Sequence, residues 1–133
     1  MLAAVTVALV VSLGCSPKPK EQPKVAISGT IVSDGKPLPL DSAGFAAKIS
    51  KVELKFFRSA KEGGGADFSE TAFAGPDGKF QVRLPVGTYR VAVAHYDKGQ
   101  KELLNGKFDQ QKTKLKCEVT DATKELSIDL AKP

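Results

Sequence analysis

The sequence predicts an all-β fold, a seven-stranded antiparallel Greek-key sandwich. Three observations predict it. Short stretches alternate apolar and polar residues with a period of two, as strands with one buried face do. Turn formers separate these stretches, drawn from 12 glycines and 8 prolines in 133 residues. No long stretch after residue 23 carries a helical period. About seven strands in one domain, spaced by turns, is the pattern of two sheets packed face to face.

Taken in order, the first strand is Val25–Val32, with Val25, Ile27 and Ile31 on one face. Gly29 lies between them, which predicts a bulge or a close approach by another backbone. Asp34-Gly35 centres the turn that follows. Leu38–Ala47 has no clean period and reads as loop, with one helical turn near Ser42–Ala47. Lys48–Arg58 alternates, with Val52, Leu54 and Phe56 inward and Lys51, Glu53 and Lys55 outward. Ser59–Phe68, with three consecutive glycines, reads as a flexible loop, and Glu70–Ala74 as a short strand.

Gly75–Ala94 is the strongest local signal. A Gly-Pro-Asp-Gly turn leads into a run with Phe80, Val82 and Leu84 on one face. Pro85-Val86-Gly87 breaks it, and Tyr89, Val91 and Val93 line the next. The reading is turn, strand, corner, strand, forming the central hairpin of the sandwich. His95–Gln100 is a polar exit from the sheet, and Asn105-Gly106 marks a turn. Thr113–Thr120 points Leu115, Cys117 and Val119 inward, and Lys124–Leu130 points Leu126, Ile128 and Leu130 inward. Asp121-Ala122-Thr123 between them reads as a hairpin connection.

Composition narrows the chemistry. The apolar share is 41% and the charged share 26%, ordinary for a globular domain. One His and no Trp remove many site chemistries. The net charge of +5 comes from lysines that alternate with apolar residues, as on a wetted strand face. With few aromatics and no basic helix, nucleic acid is not an expected partner.

The first 23 residues differ in kind from the rest. Leu2–Leu13 is uncharged, almost wholly apolar and short for a membrane span. Gly14-Cys15 follows at once, then a linker rich in Pro and Lys. This resembles a bacterial lipoprotein signal with its lipobox, which implies cleavage before Cys15 and acylation of that residue. Residues 1–14 are then the cleaved signal peptide, 15–23 the acylated Cys and linker, and 24–131 the β-sandwich. The Ser12-Leu13 order is not the commonest before Gly-Cys. A basic segment before the apolar run is missing, so the start codon is expected upstream. Acyl chains contribute about 0.8 kcal/mol per buried methylene, so several on one Cys hold firmly. Ser16 after the Cys resembles the outer-membrane sorting default. The expected location is the bacterial cell envelope, lipid-anchored at the outer membrane and facing the periplasm or the cell surface.

VAISGTIVSDGKPLP, VELKFF and AGPDGKFQVRLPVGTYRVAV together resemble the carboxypeptidase regulatory-like domain family. These are transthyretin-like or prealbumin-like sandwiches, related in architecture to immunoglobulin domains. The match covers about Val25–Val93, and Val86 stands where a second Pro is common. The tail from Leu104 to Pro133 is similar to small lipoproteins abundant in Planctomycetes. The resemblance implies an accessory, adhesive or structural role and no enzymatic one.

Candidate sites are few. Tyr89, at a strand start, is expected to bury its ring and bond its hydroxyl to backbone. Cys117 reads as a buried inert thiol; acylated Cys15 has no sulfur left to pair with it. His95 has no cysteine pair to make a zinc site, and no G-x-S-x-G motif accompanies it. Asp34-Gly35 and Asp77-Gly78 lack the ligand series of a calcium loop. No catalytic residue, metal ligand or cofactor site is expected, and Cys15 is the one modification site. Two functions remain. One is a non-enzymatic envelope module with a structural or protein-binding role. The other is a module binding carbohydrate or another small ligand, for which Phe45, Phe57, Phe68, Tyr96 and Phe108 are the candidate exposed aromatics.

Overall fold

A computed structural model describes residue 14 and residues 23–59 and 67–132. Residues 1–13 of the expected signal peptide, Cys15, most of the linker and the glycine run at 63–65 lie outside the described residues. The elements are β1 (Lys24–Ser33), β2 (Lys36–Pro37), α1 (Ser42–Ala46), β3 (Lys51–Arg58), β4 (Phe68–Ala74), β5 (Lys79–Pro85), β6 (Gly87–Tyr96), β7 (Lys116–Val119) and β8 (Glu125–Asp129). Seven match the predicted strands. The eighth, β2, is the two-residue second arm of the Asp34-Gly35 turn. Both turn residues have positive φ, at 54° and 76°, as a tight hairpin requires.

Two four-stranded sheets form. In one, β1 pairs with β5, β2 and β8. In the other the order is β4-β3-β6-β7. All pairs are antiparallel except β1 with β8, which run parallel from Ser28↔Glu125 to Val32↔Asp129. This corrects the fully antiparallel expectation. The reason is the path after β7. Thr120–Lys124 is not a hairpin, because β7 pairs with β6 and β8 with β1, in different sheets. The chain crosses the sandwich there and returns beside its first strand.

The same correction applies to β5 and β6. They are joined by a corner between sheets, not by a hairpin. Pro85 lacks a backbone donor and Gly87 has φ 154°, so the chain leaves one ladder and turns into the other. Arg58 clamps this corner, donating from Nη1 to the Val86 carbonyl at 2.9 Å. A Cβ on Gly87 would stand 2.2 Å from that nitrogen.

The core lies between the sheets. Ile27, Ile31, Phe80, Val82, Leu84 and Ile128 come from one; Val52, Leu54, Phe56, Tyr89, Val91 and Val93 from the other. Each fully buried side chain of this size is worth about 1.5–3 kcal/mol in transfer from water. β3 starts at Lys51, later than expected, because Lys48 takes a positive φ of 60° after α1. Gly29 makes no bulge; it pairs in continuous register with Phe80 and Leu126. The Phe80 ring covers it.

Candidate functional site

The register fixes two ends. Lys24 pairs with Pro85, so the linker joins the domain beside the β5–β6 corner. β3 and β6 pair at Lys51↔Tyr96 at the other end, where α1 and the loop after Tyr96 also lie. Val86 is an exposed apolar residue at the linker end. Ile49 and Leu103 are exposed at the far end, and so is Phe73, one residue before β4 finishes.

The far end is built by carboxylates that hold loops. Asp41 caps α1, accepting from the Gly44 N–H, and pairs with Lys98 at 3.0 Å. The Gly44 bond and Lys98 hold its carboxyl below the usual range. Glu102 accepts three backbone N–H bonds, from His95 (3.1 Å), Leu104 (2.9 Å) and Gly106 (2.8 Å). Burial alone pushes its pKa up, but these three bonds outweigh burial and the net shift is downward. The segment from Leu103 to Leu115 then runs along the open edge of β6. The Leu103 N–H donates to His95 O, the Val93 N–H to Phe108 O, and the Thr113 hydroxyl to Val91 O. A single carboxylate in an irregular loop gave no periodic signal, so sequence reasoning missed this clasp.

His95 is not a polar exit. It lies inside β6, 3% exposed, with Nε2 2.9 Å from the Pro39 carbonyl. A carbonyl only accepts, so Nε2 carries the proton and His95 ties the Leu38–Leu40 loop to the sheet. Among the described residues no group of three or more His, Cys, Asp or Glu side chains is placed to hold a metal. Asp34 and Asp77 are turn residues: Asp34 has positive φ, and Asp77 accepts from the Lys79 N–H at 3.0 Å.

Tyr89 is fully buried and donates to the Pro85 carbonyl at 2.6 Å, as the corner reading expects. Cys117 is half-buried against the core, and burial pushes its thiol up to about 11. Of the five aromatics expected as binding candidates, Phe57 and Phe108 are buried and the other three half-buried. Phe57 lies under Arg90, 5.2 Å from its guanidinium, and Phe108 joins the core. Phe73, 54% exposed, was not among the five because a short strand hid its outward face.

One hollow brings together the exposed Phe73 and the half-buried Phe45. It has a volume of about 920 Å³ and crosses the outer face of the β8-β1-β5 sheet, with Phe45 and Phe73 lining it beyond β5. Register places two rows of outward side chains on this face: Glu125, Ser28 and Gln81 in one, Ser127, Thr30 and Lys79 in the other. The middle strand carries the short residues, and lysine, glutamine and glutamate flank them. A depression results.

No helix among the described residues is long and apolar enough to cross a membrane. No protein-family model matches the chain, and no curated protein matches it. Among solved structures, a DUF3823 family protein from Parabacteroides merdae is similar over 82% of this chain, with a TM-score of 0.45 and 14% identity. The chain spans 45% of the length of that protein.

Proposed function

We propose that the protein is a non-enzymatic, lipid-anchored module of the bacterial cell envelope, held by Cys15 and acting through contacts with another envelope protein. One observation carries this reading: the linker joins the domain at one end, while Ile49 and Leu103 are exposed at the other. An anchor at Cys15 would leave that apolar end facing away from the membrane. Isolated exposed apolar residues are common, but two at the same free end suit a docking surface. The Asp34-Gly35 turn and the Tyr89 corner agree with the carboxypeptidase regulatory-like resemblance, which we retain as the proposed relationship.

Photo-crosslinkers placed at Ile49 and Leu103 in native envelopes test this. One recurrent protein adduct from both positions, absent from a crosslinker at Val86, is the expected result. Equal capture from all three positions, or none, would overturn it.

A further inference from the structure

We propose that the hollow on the outer face of the β8-β1-β5 sheet binds a neutral saccharide. This goes beyond the protein-docking reading, which rests on Ile49 and Leu103; neither of those residues lines the hollow.

The floor supplies the hydrogen bonds. Ser28 and Thr30 on the middle strand, Gln81 on one side and Ser127 on the other all project outward from adjacent register positions. These are neutral groups that donate and accept, as sugar hydroxyls do. Strand spacing of about 4.8 Å puts neighbouring groups within a row about one sugar ring apart.

The wall supplies the apolar contact. Phe73 is 54% exposed, and Phe45 reaches over from α1 to the β4–β5 turn, where its Cζ would stand 3.8 Å from a Cβ on Gly75. The absence of a side chain at Gly75 keeps that part of the hollow open. An exposed aromatic ring offers a flat apolar face, which suits the C–H face of a pyranose while the rim stays wet. The volume of about 920 Å³ lies within the usual range for small-ligand sites.

Charge selects the class. Lys79 stands against Asp77 and Glu125 around the hollow. That is one cation and two carboxylates, with no cluster of Arg or Lys to hold a phosphate or an acidic sugar. The lining carries one net negative charge, which disfavours an anionic ligand and leaves a neutral sugar as the class that fits.

The test is amide NMR titration of the full chain in detergent micelles. The probes are cellobiose, maltotriose and diacetylchitobiose, with trigalacturonate and inorganic phosphate as anionic controls. At least one neutral sugar is expected to shift resonances of residues 28–30, 79–81 and 125–127 with millimolar affinity. Phe73→Ala is expected to weaken binding about tenfold or more, and Val86→Ala to leave it unchanged. Should Phe73→Ala unfold, Phe45→Ala replaces it, with thermal melting as the folding control. The proposal is overturned if no neutral sugar shifts these residues, if the anionic probes bind more tightly, or if both Phe variants bind as well as the parent. Crosslinking from Ile49 and Leu103 is read separately, so either reading can fail alone.

Discussion

The ring of Phe80 fills the space that a side chain on Gly29 would occupy. A Cβ on Gly29 would stand 2.0 Å from Phe80 Cζ, and the two residues are register partners on β1 and β5. The same ring meets Phe56 of the opposite sheet, with centroids 5.9 Å apart. Glycine on one strand thus gives its core volume to the neighbouring strand. Gly29→Ala is expected to destabilise the domain by about 3 kcal/mol, because the core is packed and the ring has no free direction. Phe80→Leu in the same chain should recover part of the loss. A double-mutant cycle in urea checks this, with a coupling energy above about 1 kcal/mol expected. Additive effects would contradict the contact.

Tyr89 joins the two sheets at their corner. Its hydroxyl donates to the Pro85 carbonyl, and Arg58 lies 5.2 Å over its ring. Tyr89→Phe keeps the ring and leaves a buried acceptor unpaired. A loss of about 1–2 kcal/mol in chemical unfolding is expected. An unchanged midpoint would show that the bond contributes nothing net.

Glu102 makes stability depend on acid pH. Its carboxyl sits below the usual 4.5 in the folded chain, because three backbone N–H bonds favour the ionised form over the opposing effect of burial. Its contribution is therefore complete above pH 4.5 and is lost as pH falls through the folded value. Glu102→Gln is expected to cost about 1–2 kcal/mol at neutral pH. The two chains should converge in stability at low pH. A gap that stays constant from neutral to acid pH would show that the charge is not what matters.

Cys117 tests the packing of β7. Burial raises its thiol to about 11, so little thiolate exists at neutral pH. Alkylation of the native protein by iodoacetamide should be far slower than that of the urea-unfolded chain. Comparable rates would place Cys117 in solvent.

Alternation alone revealed most of the strands, because Val52–Leu54–Phe56 and Val82–Leu84 bury every second side chain. It could not reveal sheet membership. A strand that continues in its own sheet and one that crosses to the other show the same period, so the β7–β8 connection reads as a hairpin, and the β5–β6 connection reads as both the corner it is and a hairpin it is not. Gly29 reads as a bulge or a close approach by another backbone, and a residue pattern does not show that a phenylalanine ring from β5 fills the space instead. His95 was misplaced because a polar residue facing inward breaks the alternation that marks a strand. The clasp at Glu102 and the aromatic wall at Phe73 depend on tertiary neighbours, and nothing local signals either.

The proposed anchor at Cys15 is the centre of the functional reading, and metabolic labelling with a clickable fatty acid tests it most directly. The full chain, expressed in a bacterium with lipoprotein processing, should take up label and sediment with membranes. Cys15→Ala should lose both. An unlabelled parent chain, or a Cys15→Ala chain that still carries label, would contradict the account.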